Sequence, residues 1–169
     1  MIDTPPGVSD AHSDRPTLIA TRGLPGSGKT TWARDRLARS ASGNLARCNR
    51  DDLRRMLWGA PRYDRESEAV ITMVQHDIVA MLLRTGRTVI VDDTNLVDTH
   101  VGTLQLLASI HDADWHVEDF RDVPLQLCID RDSQRGADRV GEQVIRRMHD
   151  THLAPTPLTA ECAEPGQGR

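Results

Sequence analysis

Gly23-Leu-Pro-Gly-Ser-Gly-Lys29-Thr30 decides the reading of this 169-residue chain. It fits the pattern G-x-x-x-x-G-K-[ST]. The apolar run Thr17-Leu-Ile-Ala-Thr21 precedes it and reads as a buried strand. Helical composition follows, from Lys29 to a stop near Ser40–Gly43. Strand, glycine loop and helix in that order form the context in which backbone N–H groups turn inward around phosphate oxygens. Lys29 would reach the β- and γ-phosphates, and the Thr30 hydroxyl would ligate Mg²⁺. The basic residues are twenty arginines and one lysine, and the lysine is Lys29. An ammonium on a thin stem threads a loop that a planar guanidinium would crowd, so an arginine-biased sequence keeps lysine here.

Outward from this loop, strands and helices alternate. Leu45–Cys48 and Thr88–Val91 read as further strands, and Trp115–Phe120 alternates like a fourth. A short helix is expected over Asp51–Leu57. A longer amphipathic one is expected over Ser67–Leu83, with Val70, Met73, Val74, Ile78, Met81 and Leu82 as its apolar stripe. Helices are also expected over Val97–Ile110, Leu125–Arg131 and Val144–Leu153. This order predicts an α/β fold, with a four- to five-stranded parallel sheet flanked by helices on both faces. The expected organisation is one domain over residues 16–153, a disordered tail over 1–15 and a flexible tail over 154–169.

Composition narrows the classes. Hydrophobic residues are 38% and charged residues 27%, which suits a soluble globular domain. No apolar run is long enough to cross a bilayer, and the N-terminus lacks the apolar region of a secretory signal. Cys48, Cys128 and Cys162 form no C-x-x-C pair and read as reduced thiols, so a cytoplasmic location is expected. The net charge of −4 argues against a general nucleic-acid coat protein. Residues 44–65, however, hold six arginines against three aspartates, a local net of +3 that leaves −7 for the remainder. A basic patch on an acidic chain suits one phosphorylated strand end better than a long track.

Three segments at expected strand ends carry the remaining chemistry. In Cys48-Asn-Arg-Asp51-Asp52, with Arg54 and Arg55 a helical turn on, a carboxylate can take a hydroxyl proton while an arginine holds an acceptor phosphate. The same residues also read as an Asp51 or Asp52 helix cap with a solvated arginine face. Val89-Ile-Val-Asp92-Asp93-Thr94-Asn95 is an apolar strand ending in carboxylates. One aspartate could steady Mg²⁺ through water, and Thr94 and Asn95 could orient an acceptor, or the segment is an Asx turn. Arg131 and Arg135, four apart and followed by Gly136, could close over a triphosphate as a helical lid, or form a solvated face. Tyr63, in a loop near the basic patch, is a candidate for stacking on a base.

Together these segments resemble the kinase domain of the bacteriophage polynucleotide 5′-kinase/3′-phosphatase family. The resemblance rests on residues 23–34, Asn-Arg-Asp-Asp-x-Arg (49–54), Asp-Thr-Asn-Leu (93–96), Asp-Val-Pro (122–124) and Arg-x-x-x-Arg-Gly (131–136). It implies a P-loop kinase with an arginine-bearing helical lid. The implied activity is transfer of the γ-phosphate of ATP or another nucleoside triphosphate, with Mg²⁺, to the 5′-OH end of RNA or DNA, in end healing or repair. Gly23, Leu24, Pro25, Gly26, Ser27, Gly28, Lys29, Thr30 and Thr31 would wrap the donor with Arg131 and Arg135. Asp51 would be the general base. Arg54 or Arg55 would contact the acceptor phosphate, and Asp93, with Thr94 and Asn95, would support the acceptor. No Asp-x-Asp-Gly-Thr motif of the family's phosphatase is present, so a kinase-only version is expected. The competing expectation is a P-loop kinase acting on a nucleoside, sugar or antibiotic. The acidic balance and the scarcity of stacking aromatics favour it.

Overall fold

The computed structural model describes residues 15–154 other than 42 and 61. Both expected tails therefore lie outside the described residues, apart from Arg15 and Ala154, as does Cys162. Four parallel strands form one sheet: β1 (Thr17–Arg22), β2 (Leu45–Cys48), β3 (Thr88–Val91) and β4 (Asp114–Asp119), in the order β2-β3-β1-β4. Their side chains alternate. Leu18, Ala20, Val89 and Val91 enter one core, while Ile19 and Ile90 enter another. The first core is covered by α2 (Arg50–Trp58), α3 (Arg65–Arg84) and α4 (Asp98–Ile110), the second by α1 (Lys29–Arg39). A third core joins Leu24 and Leu96 to α5 (Leu125–Ser133) and α6 (Glu142–His152) at the carboxyl end of the strands. The expected parallel sheet, covered on both faces and carrying an arginine-bearing lid, is the observed architecture.

The expected apolar face of α3 is corrected. Its buried stripe is Ser67, Ile71, Gln75, Val79 and Leu83. Val74, Ile78 and Leu82 flank that stripe, while Met73 and Met81 are 67% and 52% exposed. The stripe escaped hydropathy because Ser67 and Gln75 interrupt it. A cavity test separates the two faces. Ile71→Ala is expected to cost about 2–5 kcal/mol in denaturant unfolding, because the fully buried side chain leaves a void. Met73→Ala should stay within about 0.5 kcal/mol. Equal losses would restore the hydropathy-based face.

Candidate functional site

The phosphate loop is fixed by close packing. Gly23 donates its N–H to the Thr94 carbonyl oxygen (2.9 Å), which ties the loop to the end of β3. Gly26, at φ +83°, lies so close to α5 that an added Cβ would sit 2.1 Å from the Cys128 carbonyl oxygen. Lys29 is buried and folds back onto the loop. Its Nζ donates to the carbonyl oxygens of Gly23 (3.0 Å) and Leu24 (2.6 Å) and to Ser27 Oγ (3.2 Å). Burial lowers its pKa to about 8, against the opposing pull of Asp92. A bound polyphosphate would favour the charged amine. Since the free protein's amine loses its proton above pH 8, nucleotide binding there must include proton uptake. The affinity of a metal-free ATP analogue, measured calorimetrically in EDTA, is therefore expected to fall about tenfold between pH 8.5 and 9.5. Lys29→Met should flatten that slope; an equal slope in the variant would assign the titration elsewhere.

Behind the lysine, Thr30 Oγ1 donates to Asp92 Oδ1 (3.3 Å), and Asp92 is buried. The other Asp92 oxygen accepts from Arg47 Nε (2.7 Å), and Arg47 Nη1 reaches Asp52 (2.5 Å). The Asn49 side chain accepts the Asp52 N–H (3.1 Å), capping α2, and donates to the Asp92 carbonyl oxygen. The start of α2 is thus stitched to the end of β3. This corrects the capping alternative: Asn49 is the cap, and the Asp51 and Asp52 side chains are left for arginines. Sequence reasoning missed Arg47. Its signal was a charged residue on an otherwise apolar expected strand, Leu45-Ala-Arg-Cys48.

Arg54 is only 7% exposed, so the arginines of α2 do not form a uniformly solvated face. Its Nη1 donates to Asp51 (2.6 Å), and its Nε and Nη2 donate to the two oxygens of Glu68 (2.7 Å each). Tyr63, the candidate stacking residue, lies against the Arg54 guanidinium at 5.0 Å. Arg55 instead points across to the lid, where it meets Asp138 (2.7 Å). Asp93 accepts from Gln75 (2.6 Å) and from the Arg50 N–H (3.0 Å), and burial pushes its pKa up to about 6. Asn95 spends its amide on the Thr21 carbonyl oxygen (2.8 Å), and Thr94 spends its carbonyl on Gly23.

Two cavities meet at the phosphate loop. One, of about 660 Å³, is lined by Gly26, Ser27, Thr31, Trp32, Asp35, Arg131 and Gln134. The other, of about 600 Å³, brings together Lys29, Thr30, Asp51, Arg54, Arg55, Asp92, Asp93, Thr94 and Asn95. Gly28 and Arg135 line both. Arg131 stands over the loop, its Nη1 3.9 Å from where a Gly28 Cβ would lie. The loop that follows Arg135 is anchored by Asp132, a buried carboxylate accepting from the N–H groups of Val140 (3.2 Å) and Gly141 (2.8 Å). Among the described residues, no cluster of three or more His, Cys, Asp or Glu side chains forms a metal cage, and no helix is long and apolar enough to cross a membrane.

A glycine loop between β1 and α1, a carboxylate at the end of β3 and an arginine-bearing lid define a P-loop kinase-type enzyme. Residues 18–155 match the family model AAA_33, described as an AAA domain, and the chain belongs to that family. Among solved structures, it is similar to a chain of the Pnkp1/Rnl/Hen1 complex. The identity is 30% and the TM-score 0.63, over 73% of this chain and 41% of that one. It is similar also to a chain of the Pnkp1/Rnl/Hen1 RNA repair complex, at 28% identity and TM-score 0.66, over 87% of this chain and 47% of that one. The protein thus spans less than half the length of either. The Mycobacterium tuberculosis APS kinase CysC, solved with AMPPNP and APS, shares the fold at 21% identity. Its TM-score is 0.57, over 71% of this chain and 70% of that one.

Proposed function

We propose that the protein is an ATP-dependent polynucleotide 5′-hydroxyl kinase. The observation that carries this reading is the pair of cavities joined at Gly28 and Arg135, with the phosphate loop between them. The first takes the nucleoside of the donor under Arg131. Lys29 takes the β- and γ-phosphates and aims the terminal phosphorus into the second. There Asp51 accepts the proton of the incoming hydroxyl, and Arg54 holds the phosphate beside it. Arg131 and Arg135 stabilise negative charge as the phosphoryl group passes. A threonine hydroxyl beside a buried carboxylate is a donor set that suits Mg²⁺: Thr30 would hold it directly and Asp92 through water. When bound, the ion neutralises charge on the β- and γ-phosphates.

The choice of a nucleic-acid acceptor is supported by the arginines of that second cavity, Arg50, Arg54, Arg55 and Arg139, and by its similarity to the RNA repair complex. Phosphate-binding arginines beside a base would be of no use to an uncharged sugar. The deciding experiment is transfer from γ-labelled ATP across a panel of 5′-OH RNA, 5′-OH DNA, nucleoside 3′-monophosphates and unphosphorylated small acceptors. Labelling of the 5′-OH ends is expected. Labelling confined to small acceptors that oligonucleotides do not compete away would replace this reading with a small-molecule kinase.

A further inference from the structure

α3 carries a polar stripe on the side that faces the second cavity. Glu68, Thr72 and Gln75 are spaced i, i+4 and i+7, so they share one stripe of the helix. Gln75 is 4% exposed, at a depth where an apolar side chain would pack more cheaply. Each member grips a different part of the acceptor cavity. Glu68 clamps the Nε–Nη2 edge of Arg54 with both oxygens at 2.7 Å. The Thr72 hydroxyl donates to the Glu68 carbonyl oxygen (2.8 Å), which leaves its lone pairs for Arg50 Nη2. Gln75 donates to Asp93 (2.6 Å). Arg50, Arg54 and Asp93 line the cavity, whereas Glu68, Thr72 and Gln75 stand one layer behind it.

We infer that this stripe is a positioning rail for the acceptor, in which Glu68 holds Arg54 ready for the phosphate next to the reacting hydroxyl. The inference rests on the kinase reading above. A guanidinium carries five N–H donors. Glu68 takes two of Arg54's and Asp51 one, which leaves two for an incoming phosphate. An arginine already locked by a bidentate partner loses little side-chain entropy when that phosphate binds. The same clamp leaves Arg54 spanning Glu68 and the proposed base, so the phosphate it holds is set at a fixed distance from Asp51. Glu68, Thr72 and Gln75 touch no substrate; they act through the residues they hold.

The test compares two acceptors and one ligand in Glu68→Gln, which keeps the side-chain size and removes the charge. For a nucleoside 3′-monophosphate, KM is expected to rise about tenfold, with kcat changed less. For the matching unphosphorylated nucleoside, kcat/KM should change less than about twofold, and AMPPNP affinity should hold. Inorganic phosphate binding to the AMPPNP-saturated protein, read by calorimetry, should weaken about tenfold in parallel. Thr72→Val, which removes a single hydroxyl, is a second probe and should move the same ratio in the same direction by about threefold. If wild type labels no nucleic-acid acceptor, the kinase reading falls, and the phosphate titration alone decides the rail. An unchanged phosphate affinity in Glu68→Gln, or equal losses for both acceptors, would overturn it.

Discussion

Asp51→Asn is expected to bind ATP analogues as wild type does and to lose phosphoryl transfer by about 10²- to 10⁴-fold in kcat. The carboxylate sits in the first turn of α2 with its side chain 56% exposed, facing the cavity that Lys29 and Thr30 also line. One oxygen accepts from Arg54 Nη1, and the lone pairs that remain are free to take a proton. Asparagine keeps the shape and can still accept from Arg54, but it cannot hold the proton of an attacking hydroxyl. Asp52, one residue on, is the internal control. It points to Arg47 and Arg55 and does not line the cavity. Asp52→Asn should therefore stay within about tenfold of wild type, since asparagine keeps an oxygen for Arg47, Arg47 keeps its second partner Asp92, and the pair with Arg55 is half-exposed. The measurement is single-turnover transfer from γ-labelled ATP at saturating donor and acceptor. Robust transfer by Asp51→Asn would remove Asp51 from the role of base, and a larger loss in Asp52→Asn would exchange the two.

The elements were legible because their signals are local. Thr88–Val91 is a β-branched run ending in acid, and the structure places β3 over those four residues. The loop at 23–30 needed only its glycines and one lysine. What escaped the sequence depends on which face of an element meets its neighbour. Nothing in the composition of α3 says that Gln75 is buried, because glutamine is ordinarily a surface residue. Its burial becomes sensible only once Asp93 is seen a hydrogen bond away. Arg54 and Arg55 are adjacent in sequence, and sequence alone does not separate them as the acceptor contact. A helix turns by about 100° per residue. That rotation sends Arg54 inward to Glu68 and Arg55 across the mouth of the cavity to Asp138. Arg47 reads as a lone charge on a strand, and its partners, Asp92 and Asp52, belong to two other segments. Contacts between elements set these placements, and hydropathy carries no record of them.

Gly26→Ala is expected to abolish nucleotide binding in the micromolar range and to destabilise the fold, and two costs add to give that result. The φ of +83° lies where an L side chain pays about 1–2 kcal/mol. The new methyl would also stand 2.1 Å from the Cys128 carbonyl oxygen and 2.9 Å from its carbon, so the backbone of the loop or of α5 must move. Overpacking against backbone costs a further 1–3 kcal/mol or so. The displacement falls where it does most harm, because α5 carries Arg131 and the loop leads directly into Lys29 at the start of α1. Gly59→Ala separates the two costs. That glycine has a similar φ of +69°, and among the described residues no atom beyond its chain neighbours lies within 4 Å of the added Cβ, so it should lose only the conformational part and keep nucleotide affinity. Thermal unfolding of both variants, with and without an ATP analogue, reads the difference directly. The Gly26 variant should show a lower Tm and no ligand-induced rise, whereas the Gly59 variant should show a small drop and the full rise. A Gly26 variant that gained ligand stabilisation like wild type would mean that the loop and α5 can part without cost, and that this packing does not hold the phosphate site in shape.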